Sequence, residues 1–187
     1  MTEPKILLII RNDNASLERE GKRRFPVTGG PVVDAVWRRL LDRAGPRPDF
    51  ALTHEPDLHL PVDGTRVDGV RCCDDRYAFQ IAATAAEIRI TSHAAAPAEL
   101  GLSRDPRVLG VGVRQLHVVQ GRHLRVMEAP DEALCNGFHD YEADNNIRWT
   151  NGAALVPAAL LAGVAGNFWL EVLVAGRTQY ALLAEAA

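Results

Sequence analysis

The densest run of chemically capable side chains lies at residues 137–150, where Gly-Phe-His-Asp-Tyr-Glu is followed after five residues by Arg-Trp-Thr. Tyr141 and Trp149 offer rings, and His139, Glu142, Asn145, Arg148 and Thr150 offer hydrogen-bonding groups. Proteins hold the apolar faces and hydroxyls of sugars with this combination. A connection leading into a strand is also where a β-sandwich displays ligand sites. The same residues fit a purely structural role: Arg148 pairs with Glu142 to pin the loop and Trp149 packs into the core, because buried polar groups need partners whether or not a ligand binds. At this level both readings stay open.

Catalysis has thinner support. Glu142 and Asp144 supply two carboxylates, as glycosidic hydrolysis requires, but nothing in their spacing makes them face each other across a scissile bond. A small enzyme of glycan or natural-product metabolism would have to gather Glu142, His139 and Arg148 in one pocket. The histidines, at 54, 59, 93, 117, 123 and 139, form neither a His-x-His pair nor a His-Glu-x-x-His helix, although His54 and His59 flank Glu55 and Asp57. Cys72, Cys73 and Cys135 are odd in number, and adjacent cysteines rarely bond to each other, so reduced thiols are expected. Asp105-Pro106-Arg107 reads as a turn in which Arg107 neutralises Asp105 or another carboxylate at a sheet end. Gly110-Val111-Gly112 lacks the third glycine of a dinucleotide fingerprint and fits close sheet packing. Thr28-Gly29-Gly30 lacks the Gly-Lys-Ser/Thr ending of a phosphate loop and reads as a helix cap. No metal and no cofactor are expected.

The elements that must position these residues follow from periodicity. Residues 5–10 (KILLII) read as a buried strand, and the charged segment 17–24 as a loop. Val32, Val33, Val36, Leu40 and Leu41 recur at helical spacing and predict a helix over 32–41, stopped at Gly45-Pro46. After Phe50 the texture changes to short alternating runs: 58–62, 65–72, 77–82, 87–92, 108–118, 123–127, 147–155, 167–175 and 178–183. Asp63-Gly64, Gln120-Gly121 and Ala175-Gly176-Arg177 read as hairpin turns. Ile88 and Ile90 share one face of their run, as do Phe168, Leu170, Val172 and Val174 of theirs; Trp169 and Leu173 on the reverse side suggest a strand lying between layers. The expected fold is mostly β, a two-layer antiparallel β-sandwich, jelly-roll-like, with one N-terminal α-helix. At 187 residues one domain is expected, with 1–49 a strand-plus-helix extension and 50–187 the sandwich.

Net charge is −3, from 21 basic and 24 acidic residues spread along the chain, which argues against nucleic acid and anionic membrane as partners. The apolar runs at 6–10 and 153–165 are too short or too interrupted to span a bilayer, and no basic–apolar–small cleavage pattern opens the chain. A cytoplasmic protein, or one exported without a standard signal, is the expectation.

Four blocks occur in order over about two thirds of the chain. They are Asp57-Leu58-His59-Leu60 with Val62-Asp63-Gly64, Ile88–Ser92 with Pro97–Gly101, Asp105–Val111, and Gly137–Glu142 through Arg148–Gly152. This segment resembles a β-rich module that follows Hedgehog/intein (Hint) domains in many bacterial proteins, and is similar to accessory regions of bacterial glycosyltransferases. The self-splicing Cys or Ser start and His motif of the Hint domain are missing, so the resemblance implies a glycan-linked β-sandwich without autoprocessing. The function expected is non-catalytic carbohydrate recognition by His139, Tyr141, Glu142, Asn145, Arg148, Trp149 and Thr150, provided Arg148 and Trp149 face outward. The alternatives are the small enzyme above and a structural subunit that forms a homo-oligomer through the last strands.

Overall fold

Apolar and polar residues alternate after Phe50, and this leaves each strand one side to bury, so the strands must find a second layer. The computed structural model describes residues 30–44, 51–73, 75–82 and 85–182. The expected strand at 5–10, the segment at 17–24, Thr28-Gly29 and Gly45-Pro46 lie outside the described residues. The chain falls into two units, Met1–Arg47 and Pro48–Ala187. In the first, the 3–4 spacing forms helix α1, Pro31–Ala44, with Asp34 in its first turn and Arg43 in its last, each complementing the helix dipole.

The second unit begins with β1 (Leu52–Thr53), β2 (His59–Val62), β3 (Thr65–Asp68), β4 (Val70–Cys73), β5 (Arg76–Ile81) and β6 (Arg89–Thr91). It continues with β7 (Gly112–Gln120), β8 (His123–Glu128), β9 (Phe138–Glu142), β10 (Ile147–Thr150) and β11 (Ala153–Leu155), then the short helix α2 (Ala158–Leu161), β12 (Phe168–Gly176) and β13 (Tyr180–Ala181). Among the described residues these strands form a seven-stranded sheet ordered β4-β5-β12-β7-β10-β9, with β8 also paired to β7. A four-stranded sheet is ordered β11-β6-β2-β3, and β1 pairs with β13. All pairings are antiparallel, and the fold is a two-layer β-sandwich. Leu60 and Ile90 of the smaller sheet, with Ile88 just before β6, share one core with Phe79, Ile81, Leu116, Val118 and Leu170 of the larger. Each such buried side chain contributes roughly 1.5–3 kcal/mol.

Two of the expected hairpins form. Asp63 and Gly64, both with positive φ, join β2 to β3, and Gly121-Arg122 joins β7 to β8. The third does not. β12 runs on through Gly176, which lies opposite Gly112 in the ladder, and β13 pairs with β1. Its Tyr180 turns inward, and the hydroxyl donates to the Gly110 carbonyl at 2.8 Å. Burial pushes the phenol up to about 12.

Two runs expected as single strands are each broken where the chain changes sheet. The break at Gly69 takes it from β3 to β4, and a Cβ there would stand 2.5 Å from the Phe79 ring. The break at Asn151-Gly152 takes it from β10 to β11; Gly152 has φ +99, and the Asn151 side-chain Oδ1 accepts from the Ala153 N–H at 3.0 Å. The chain also forms three elements that periodicity missed: β1, α2 and β9.

Gly110 sits where these parts converge. A Cβ on it would be 2.4 Å from Thr150 Oγ1, 2.7 Å from Ser92 Oγ and 2.9 Å from the Gly152 nitrogen. None of the three is the end of a long flexible side chain, so the neighbours cannot move aside cheaply. Gly110→Ala is expected to destabilise the fold by about 1–3 kcal/mol, read as a lower urea midpoint at unchanged slope. An unaltered midpoint would show that this junction yields easily.

Candidate functional site

The residues singled out at 137–150 form a hairpin. Phe138 and Tyr141 favour extended backbone, and an edge strand tolerates polar groups on both sides, so this polar stretch becomes β9 where a loop was expected. Its turn, residues 143–146, closes with Asn146 at φ +50, and Tyr141 Oη donates to Asn146 Oδ1 at 2.9 Å. Glu142 faces Ile147 across the hairpin, so alternation puts Arg148 on the opposite side from Glu142. The expected Arg148–Glu142 pair is corrected accordingly. Arg148 donates to the Ala129 and Leu134 carbonyls at 2.8 and 2.9 Å and pins the loop after β8. Glu142 instead accepts from Arg107 at 2.7 Å, and Arg107 also clasps Asp105 at 2.6 Å, which is the sheet-end neutralisation the Asp-Pro-Arg turn suggested.

The other hairpin residues are similarly occupied. Asn145 donates to Glu142 at 3.2 Å, and a His139 ring nitrogen lies 2.7 Å from the Val108 carbonyl. Thr150 is fully buried and accepts from the Val111 N–H at 3.1 Å, so it offers nothing to a ligand, a second correction. Trp149 is half-buried. It lies opposite Gly112, which lies opposite Gly176, and a Cβ on Gly176 would stand 3.0 Å from the indole. The missing side chain at Gly176 thus leaves room for the ring.

The carboxylates of this cluster are poised as anions. Burial raises Glu142, but hydrogen bonds from Arg107, Asn145 and Trp149 outweigh it and hold the carboxyl below its ordinary range. The Arg107 hydrogen bonds do the same for Asp105 against the opposing effect of burial. A depressed Glu142 is a poor general acid, and Asp144, its supposed partner, is exposed in the turn.

The histidines are dispersed. His54 contacts Gln179, His59 the Asp57 carbonyl, and His93 the Glu55 carbonyl. Among the described residues no group of three His, Cys, Asp or Glu is placed to hold a metal. Cys72, Cys73 and Cys135 are free thiols at the surface.

The outer face of the seven-stranded sheet is a second candidate that residue types alone did not reveal. Reading across β5, β12, β7 and β8, one row is Gln80, Trp169, Val119 and Leu124, and the next is Ala78, Glu171, His117 and Val126. A polar ladder crosses this face. Arg76 and His117 each approach Glu171 at 3.4 Å, His117 meets Gln115 at 3.0 Å, and Gln115 donates to Glu128 at 2.7 Å. Trp169 is 40% exposed, so its strand does not lie between layers as expected. A cavity of about 250 Å³ opens beside it, lined also by Gln80, Asn167 and Gln120. The signal was present in the alternation of 167–175, which placed Trp169 and Glu171 on the side away from Leu170, but their neighbours come from strands distant in sequence.

Unfolded, Asp105 and Glu142 return to ordinary values of 3.8 and 4.5. The lower native values therefore stabilise the fold above that range, and this contribution is lost as pH falls through them. Stability is expected to hold down to about pH 5 and decline below it. Arg107→Gln should cost roughly 1 kcal/mol at neutral pH, the groups being partly solvated, and flatten the acid decline. Urea midpoints across pH for both proteins check this, and parallel acid limbs would contradict it. No family model, curated protein or solved structure matches this chain.

Proposed function

We propose that the β-sandwich is a non-catalytic, carbohydrate-associated binding module whose ligand lies on the outer face of the seven-stranded sheet, around Trp169. One observation carries this reading: an indole with 40% of its surface open shares the lining of a cavity of about 250 Å³ with Gln80 and Asn167, whose side chains end in amides. A sugar ring presents an apolar C–H face and a rim of hydroxyls. The indole takes the first, and amides, which both donate and accept, take the second. The cavity is smaller than the roughly 300–1,000 Å³ of drug-sized sites, which suits a single ring or chain end.

The hairpin of residues 138–150 is then the frame of the module, since Arg148, Glu142, Tyr141 and Thr150 have partners inside the fold. An accessory role follows the resemblance to modules found beside Hint domains and glycosyltransferases. A small enzyme centred on Glu142, His139 and Arg148 is disfavoured by the opposite facing of Glu142 and Arg148 across β10. A subunit that self-associates is the second reading, favoured by Leu124 and Val126, 58% and 45% exposed on the same sheet face as Trp169.

A glycan array followed by calorimetric titration tests the proposal. Trp169→Ala is expected to weaken sugar binding at least about tenfold while leaving the unfolding midpoint nearly unchanged. Tyr141→Phe and Arg148→Lys should bind like the parent. Loss of binding in the hairpin variants alone would move the ligand to β9 and β10. Absence of any sugar affinity, with a dimer in sedimentation that Leu124→Lys dissociates, would replace recognition by assembly.

A further inference from the structure

We infer that the cavity on the core side of the β7–β8 hairpin is a binding site for an oxyanion, a carboxylate or phosphate carried by a small molecule. It has a volume of about 360 Å³ and is lined by Val118, Gln120, His123, Leu124, Arg125, Gly163 and Val164. Register fixes how the two basic side chains come together. Val118 lies opposite Arg125, and Gln120 opposite His123, so all four project from the same side of the hairpin. The buried Val118 marks that side as the one facing the core, and Gly163-Val164, just after α2, close the cavity from above.

The charge is one-sided. His123 and Arg125 are basic, and none of the lining residues is acidic. Apolar walls at Val118 and Val164 limit the water that would otherwise screen the field.

Arg125 is also held in place. One terminal nitrogen donates to the Ala162 carbonyl, and the other would lie 3.6 Å from a Cβ on Gly163, so the guanidinium rests over the chain after α2. A guanidinium has five N–H groups, and one bond to Ala162 anchors the plane while others remain to form a fork with two oxygens. Gln120 is fixed as well, its amide nitrogen donating to the Ala165 and Asn167 carbonyls. The recess is therefore preorganised, and an anion need order little on binding. This site borders the Trp169 cavity and shares Gln120 with it, but the basic pair His123 and Arg125 lines this cavity alone, and the inference does not depend on the carbohydrate reading.

The test follows the His123 ring protons and nearby backbone amides by NMR while the intact chain is titrated with acetate, glucuronate and inorganic phosphate. Saturable shifts confined to His123, Arg125 and Gly163-Val164, weakened by added sodium chloride, are expected. A stronger response to phosphate would identify a phosphoryl ligand, and a stronger one to glucuronate a carboxylate ligand; either supports the site. Arg125→Gln should weaken binding at least about tenfold, and Arg125→Lys less. Because Arg125→Gln also removes the bond to Ala162, His123→Gln serves as a second variant that leaves that bond intact, and it should weaken binding severalfold. The inference is overturned if no anion gives saturable shifts, or if both variants bind like the parent while remaining folded.

Discussion

Two sheets of unequal width enclose one core, and the chain must pass between them without leaving backbone groups unpaired inside. Everything else depends on how closely it can do so at Gly110. There the Gly110 N–H donates to the Thr150 carbonyl at 2.7 Å, and the Gly110 carbonyl accepts from buried Tyr180. The Thr150 hydroxyl takes the Val111 N–H, and Ser92 donates its own N–H to Gly152 at 3.1 Å. The larger sheet, the smaller sheet and the β1–β13 pair are thus joined through one residue without a side chain. The two buried hydroxyls there both have partners, as Ser92 Oγ donates to the His93 carbonyl at 2.9 Å. An interior polar junction is tolerable on this condition, because an unpaired buried group costs about 1–3 kcal/mol.

That junction explains why the hairpin of residues 138–150 is a frame. β10 carries Thr150 into the junction, so its register cannot slip by one residue without turning every side chain of the strand to the opposite side, which takes buried Ile147 out of its packing and Thr150 out of the junction. Arg148 then reaches back to the chain after β8, and Arg107 and Glu142 close the sheet end beside it. Groups suited to sugar hydroxyls are consumed in holding the fold. The face around Trp169 differs in that its ladder, from Arg76 through Glu171 and His117 to Gln115 and Glu128, runs across an open surface with an exposed ring at its border.

Local pattern carried far in this chain. The 3–4 spacing of Val32 to Leu41 marks α1, and two-residue alternation marks the strands from His59 to Thr91 and from Gly112 to Glu128, because each depends only on which side of a segment is apolar. The breaks at Gly69 and Gly152 were not visible as breaks, since a glycine inside a run of strand residues is equally consistent with a bulge or with close packing. β9 carries no alternating signature because an edge strand needs none.

The class of fold, a two-layer antiparallel β-sandwich with an N-terminal helix, and the inward faces of its strands are legible in the order of residues, because burial of apolar area is decided residue by residue along the chain. Partners are settled by the folded arrangement. That Arg107 answers Glu142, that Trp149 lies over Gly112 and Gly176, and that Trp169 stands beside Gln80 and Asn167 all follow from strand order and register. Strand order and register are set by the fit of the whole core, and no short stretch of residues contains them.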